Sequence, residues 1–127
     1  MKTPTQYQHD LGELHAEDVH TDGLSEGEAR QHLEKVNQML EKLSEMENSL
    51  NLDLHAMRAQ YQGRASALQM QTGRHAGRSH VEEEQRLEDE RLSKLAPYNE
   101  VRTQIEQLRE QLEGARGKLE QALPGSR

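Results

Sequence analysis

A heptad repeat of apolar residues runs through the first half of the chain. Apolar side chains recur there at alternating intervals of three and four residues, and Glu47 is the one polar member of the series. This spacing is typical of a long helix that packs along a neighbouring helix. A capping box formed by Ser25 and Glu28 precedes the repeat and predicts where the helix begins. The apolar members are Leu33, Val36, Leu40, Leu43, Leu50, Leu54, Met57 and Tyr61.

A second repeat fills the last part of the chain. A second possible capping box, Ser79 with Glu82, predicts the start of this helix, and Pro124 ends it. Pro97 lies inside the helix, where proline removes a backbone donor and crowds the preceding turn. We therefore expect a kink or a short break near this residue. The regular members of the repeat are Tyr98, Val101, Ile105, Leu108, Leu112, Ala115, Leu119 and Ala122.

The two repeats together predict an all-α fold, a long antiparallel two-helix hairpin of the coiled-coil type. The helices are expected at about 26–72 and 80–123, joined by a glycine-containing turn at 73–78. Helices of similar length joined by a short turn pack as antiparallel neighbours. In that arrangement the apolar layers of the two helices coincide, for example with Leu54 opposite Tyr98.

Residues 1–24 have no extended helical period. They contain Pro4, Gly12 and Gly23, and their acidic residues outnumber the single Lys2. A polar segment with an excess of acidic charge is typical of disorder. The sequence thus predicts three regions. They are a flexible acidic tail at 1–24, the helical hairpin at 25–123, and a short tail at 124–127.

Composition limits the functions that the chain can have. Only 31% of the residues are hydrophobic, and Phe, Trp and Cys are absent, which excludes disulfides and cysteine nucleophiles. The net charge of −7 disfavours coating of nucleic acid along the whole length. No signal peptide or apolar span is visible, so we expect a cytoplasmic location and no membrane partner.

Apolar residues off the main repeat include three on the first helix, and Leu87 on the second. Met39 and Met46 flank the repeat of the first helix, and Leu52 points away from it. An apolar stripe wider than two positions per heptad is typical of bundles with more than two helices. We therefore predict that Met39, Met46 and Leu52 contact a second copy of the chain or a partner helix.

The predicted tip of the hairpin is basic and poor in apolar residues. Residues 54–81 contain no acid, whereas residues 82–90 are largely acidic and fold back beside them. The basic side chains either contact phosphates or an acidic partner, or pair with these acids, with Arg64 opposite Glu88. The thin apolar pattern predicts a tip that is loosely packed or held by another chain. The candidate tip contacts are Arg64, Arg74, His75, Arg78 and His80.

Glu47 at a core position, opposite Ile105, is interpreted as a residue that fixes the register of the helices. Arg102 and Arg109 lie within reach of its carboxylate. No nucleophile–base pair, phosphate-binding loop or metal-ligand spacing is present, so the sequence predicts no catalytic residue, cofactor or metal. We expect a non-enzymatic structural or adaptor protein that forms a homodimer or other homo-oligomer, or docks to a partner protein. A nucleic-acid-associated factor that uses the basic tip is the alternative.

Overall fold

The computed structural model describes residues 1–71 and 78–123, with the side chains of all of these except 71 and 78–80. Three α-helices are present, α1 at Pro4–Glu13, α2 at Glu26–Gln71 and α3 at Arg78–Gln121. A short 3₁₀ turn, Ala16–Asp18, lies between α1 and α2. No strand occurs in the described ranges. The predicted all-helical class and the two long helices are therefore confirmed.

Helices α2 and α3 pack side by side in opposite directions. Asn51 accepts a hydrogen bond of 3.1 Å from Arg102, and Arg64 forms an ion pair of 2.9 Å with Glu90. Residue numbers rise along α2 while those of the contacted residues fall along α3, so the pair is an antiparallel hairpin. At 1.5 Å per residue each helix is about 65–70 Å long.

The predicted heptad positions form the core between the long helices. Several aliphatic side chains on both helices are almost completely buried. Burial of one such side chain stabilises the fold by about 1.5–3 kcal/mol. The layers therefore supply most of the energy that holds the hairpin closed. The most deeply buried of them are Val36, Leu43, Leu50 and Leu54 of α2 and Val101, Ile105, Leu112 and Leu119 of α3.

The predicted capping box at the start of α2 is present, whereas the one predicted at the start of α3 is not. The Ser25 hydroxyl accepts a 3.2 Å hydrogen bond from the backbone N–H of Glu28, as the first capping box predicts. Helix α3 is already helical at Arg78, so Ser79 lies inside it rather than at its N-cap.

Helix α3 continues through Pro97, so the short break is absent, and a kink at this residue stays a prediction. The carbonyl of Ser93 loses its helical donor to the proline, but Ser93 and Pro97 are both on the exposed side of the helix. Water can reach that carbonyl there, which lowers the cost of the missing hydrogen bond.

The N-terminal region is helical, and the prediction of a disordered tail at 1–24 is wrong. Thr3 and Gln6 form a capping box at the start of α1, and Pro4 occupies the first helical turn, where its missing N–H costs nothing. The chain then bends at His15, which has a φ of 54°, and again at Gly23, which has a φ of 70°. Both residue types tolerate this left-handed conformation better than most.

Helix α1 packs along the half of the hairpin formed by the first part of α2 and the last part of α3. Its beginning lies beside Asp53 and Tyr98, and its end lies beside Met46. It therefore runs antiparallel to α2 and adds a third helix to this half. Sequence analysis missed this helix because only Tyr7, Leu11 and Leu14 form its apolar stripe, too short a pattern to stand out.

The other half of the hairpin, here called the distal arm, comprises residues 62–71 of α2 and 78–94 of α3. None of its described side chains is fully buried. Met70 is 86% exposed, Val81 65% and Leu92 53%. The hairpin thus has a closed three-helix half and an open two-helix arm.

Candidate functional site

Few apolar side chains lie between the two helices of the distal arm. Leu68 and Leu87 are half-buried and line openings on both faces of the arm. The larger opening, here called the distal cleft, has a volume of about 450 Å³. The distal cleft is lined by Arg58, Tyr61, Gln62, Ala65, Leu68, Gln69, Glu84, Leu87, Glu88 and Arg91.

The smaller opening, on the opposite face, has a volume of about 370 Å³ and is bridged by an ion pair. The Arg64 guanidinium contacts Glu90 at 2.9 Å and lies 5.2 Å from the centre of the Tyr61 ring. Hydrogen bonding between the two groups lowers the pKa of Glu90 and raises the pKa of Arg64. Arg64 is therefore engaged within the chain on this face.

The predicted partner of Arg64 differs by half a helical turn from the observed one. Sequence analysis placed Arg64 opposite Glu88, but Glu88 pairs instead with Arg91, three residues away on α3. The Arg91 guanidinium donates two hydrogen bonds, of 3.0 and 2.5 Å, to this carboxylate. This contact lowers the pKa of Glu88 and raises the pKa of Arg91. The local pair takes up Glu88 and leaves Glu90 for the contact between helices.

Charge changes sign along the distal cleft. Arg58 lies at the end nearest the core, where Tyr61 closes the cleft, and Glu84 lies toward the tip. Leu68 and Leu87 supply apolar surface between these charged ends. The distal cleft is therefore a mixed polar and apolar surface, with Arg58 at its core end and Glu84 toward the tip.

Polar contacts fasten α1 to the two long helices. The Tyr7 hydroxyl lies 2.6 Å from an oxygen of Asp53 and 2.9 Å from the Ser49 hydroxyl, and its side chain is fully buried. The Tyr98 hydroxyl donates a 2.7 Å hydrogen bond to the backbone oxygen of Lys2. The Tyr7 and Tyr98 rings meet edge to face with their centres 6.4 Å apart.

Burial, reinforced by the hydrogen bond to the Asp53 carboxylate, raises the pKa of Tyr7 to about 12. Burial also raises the pKa of Tyr98. Sequence analysis did not single out Tyr7 or Asp53. The available signal for Tyr7 was the capping box of Thr3 and Gln6 directly before it.

The predicted partner contacts Met39 and Met46 lie inside the chain's own core. They are 9% and 8% exposed and belong to the same core as Tyr7 and Leu14. The wide apolar stripe therefore corresponds to a third helix within the chain, and these two side chains are not on the surface. Leu52, the third member of the set, is 71% exposed.

The predicted tip contacts are only partly within the described structure. Arg74 and His75 lie outside the described residues, as do the side chains of Arg78 and His80. Arg64 is the one tip candidate whose side chain is described, and it pairs with Glu90. The predicted phosphate contact at the tip stays a prediction.

Glu47, the predicted register residue, lies at the edge of the seam. Its carboxylate forms an ion pair with Arg109, one of its two predicted partners, and both side chains remain partly exposed. Glu47 therefore joins the helices at the border of the core, and its part in fixing the register stays a prediction.

The described ranges contain neither a metal-binding cluster nor a membrane-spanning helix. Within 1–71 and 78–123, no three His, Asp or Glu side chains are grouped closely enough to hold a metal ion. None of the helices described is both long and apolar enough to cross a bilayer.

Comparison of the chain with protein-family models, curated proteins and solved structures gave no match.

Proposed function

We propose that this protein is a non-enzymatic structural or adaptor protein that self-associates through the distal cleft of its helical hairpin. The observation that carries this proposal is the unfinished packing of the distal arm. Leu68 and Leu87 are only half-buried beside an opening of about 450 Å³, whereas the seam of the other half is lined by almost completely buried side chains such as Leu50 and Ile105. A two-helix surface of this kind is completed by further helices.

The arm has little to stabilise it within one chain. Its ion pairs, such as that of Arg64 with Glu90, are exposed to solvent, and exposed pairs contribute about 0–1 kcal/mol. Its apolar residues Met70, Val81 and Leu92 remain largely exposed. Burial of Leu68 and Leu87 against another molecule would supply the apolar contacts that the arm lacks.

The charges of the distal cleft favour a second copy as the occupant. A two-fold axis perpendicular to the helices brings the core end of one cleft against the tip end of the other. Arg58 of each chain then faces Glu84 of the partner subunit, and the leucine layers pack between these contacts. Opposite charges at the two ends make the surface complementary to itself in this antiparallel arrangement.

A charge exchange tests this arrangement. Arg58→Glu and Glu84→Arg each place like charges at both ends of the paired clefts, and each is expected to weaken the dimer. The double variant Arg58→Glu/Glu84→Arg restores opposite charges and is expected to recover the dimer. Analytical ultracentrifugation of the full chain measures the dimer dissociation constant. Lys35→Glu, an exposed change of equal charge in the closed half, is the control and should leave it unchanged.

Equal dimer dissociation constants for the wild type, the two single cleft variants and the double variant would contradict the proposed contact. A monomer that binds RNA or DNA with steep salt dependence would also overturn the proposal, in favour of the basic-tip alternative. Loss of that binding on neutralising Arg74 and Arg78 would locate the nucleic-acid contact at the tip.

A further inference from the structure

A second surface becomes available when α1 leaves the hairpin. Helix α1 has 10 residues, below the length at which an isolated helix is stable in water. Its helical state therefore depends on its docking contacts. The side chains beneath it include Met46, and methionine adapts to differently shaped partners.

The docking of α1 is incomplete. An opening of about 320 Å³ lies between α1 and α2, with charged residues such as Glu13, Lys42 and Glu45 around it. A second opening, of about 340 Å³, separates the segment after α1 from α3 beside Val19 and Ala115. Loosely packed elements are those that open locally at low cost in free energy.

The connection from α1 to α2 bends twice. His15 and Gly23 both have left-handed backbone conformations on either side of the 3₁₀ turn. Helix α1 therefore joins α2 through two bends, which lie outside the long helices.

We propose that the groove filled by α1 is a binding site for an amphipathic helix, and that α1 is its resident ligand. The contacts of α1 define the helix that fits: a tyrosine, then leucines four and seven residues later, as in Tyr7, Leu11 and Leu14. The tyrosine hydroxyl bonds to Asp53 and Ser49, so a helix with tyrosine at this position binds the groove more tightly than one with phenylalanine. A partner helix with this pattern displaces α1 and takes its contacts. This inference is independent of the distal cleft.

A labelled peptide of residues 1–20 tests the groove against the full chain. The wild-type protein is expected to bind it weakly, because its own α1 occupies the site. Tyr7→Ala in the protein frees the groove and is expected to tighten peptide binding by at least about tenfold. Fluorescence anisotropy gives both affinities. The control is Gln8→Ala, an exposed change on α1 that should behave as wild type.

The peptide itself provides a second readout. A peptide with Tyr7→Ala is expected not to bind the opened protein, and one with Tyr7→Phe to bind less tightly than the wild-type peptide. Equal binding of all three peptides, or no binding to the Tyr7→Ala protein, would overturn the proposal. Loss of more helix than α1 contains in the Tyr7→Ala protein, measured by circular dichroism, would overturn it as well, because α1 would then be an integral part of the hairpin.

Discussion

At the scale of residues, Tyr7 is buried between α1 and the long helices and fastens α1 to them. Its ring is fully buried, and its hydroxyl contacts both Asp53 and Ser49 of α2. A tyrosine has both an apolar ring and a polar end, so one side chain fills the groove and fixes the position of α1 along it. Tyr98 holds the neighbouring backbone of Lys2 from α3. Thus two tyrosine hydroxyls hold the start of α1 to the long helices.

Tyr7→Phe keeps the ring and removes the hydroxyl. We expect the free energy of opening α1 to fall by about 1–3 kcal/mol, because the polar groups of Asp53 and Ser49 lose a buried partner. Hydrogen exchange of the α1 amides measures this opening. Thr103→Ala is the control, since its hydroxyl bonds only to the carbonyl of Asn99 within α3. Unchanged exchange in Tyr7→Phe would show that the ring alone holds α1.

The docking of α1 is expected to depend on pH in the alkaline range. Its docked state raises the pKa of Tyr7 from the ordinary value of 10.0 to about 12, so docking favours the protonated phenol. The contribution of Tyr7 is complete below the ordinary value and is lost as the pH rises through the folded value. Tyrosinate absorbance and far-UV circular dichroism should change together in that range. The helical change should be absent from Tyr7→Phe; if it persists there, Tyr7 is not the group responsible.

At the scale of elements, the sequence predicted the two helices that carry heptad repeats and missed α1, which carries none. The α2–α3 seam was predictable because Leu43, Leu50, Ile105 and Leu112 belong to long heptad series, and long series are hard to produce by chance. Helix α1 has a stripe of three residues, and its stability comes from tertiary contacts such as that of Tyr7. Such contacts depend on the meeting of distant residues and leave no periodic signal.

Of the candidate surfaces, the distal arm was predictable from the sequence, whereas the position of Met39 and Met46 was not. The open distal arm was predictable, because its sequence offers few apolar residues in heptad positions, and Leu68 and Leu87 are only half-buried there. The assignment of Met39 and Met46 to an external partner depended on taking the N-terminal segment as disordered. Once α1 is present, it supplies the additional helix that the wide stripe required.

The two halves of the hairpin should differ in local stability. Leu50 is completely buried in the closed half, so Leu50→Ala is expected to lower the free energy of unfolding by about 2–5 kcal/mol. Leu68 is half-buried beside two openings, so Leu68→Ala is expected to cost less in a dilute sample. Urea unfolding monitored by circular dichroism compares them. Equal losses would contradict the division into a closed half and an open arm.

Self-association should protect the arm selectively. Amide hydrogen exchange in residues 62–70 and 84–91 is expected to slow as protein concentration rises, because the paired clefts stabilise these turns. Amides around Leu43 and Ile105 lie in the closed core and should not respond to concentration. Uniform protection at every concentration would argue against a contact through the distal arm.

At the scale of the whole molecule, the proposed functions occupy separate parts of the hairpin. Met39 and Met46 are buried in the closed half, where Leu52 is an exposed large apolar side chain. The distal arm leaves Leu68 and Leu87 only half-covered. An assembly formed through the arms would leave the α1 groove of each copy available for exchange with a partner helix. The protein would then join two copies at one end and accept helices at the other.

The most direct test of self-association is the mass of the full chain in solution, measured by light scattering across a concentration series. The proposal predicts a mass that rises from the 14.6 kDa of one chain toward twice that value as concentration increases. Leu68→Glu places a charge beside the distal cleft and should keep the protein monomeric. The control Leu52→Glu should still form dimers at the same concentrations. A wild-type mass of one chain at every concentration would contradict self-association through the distal cleft.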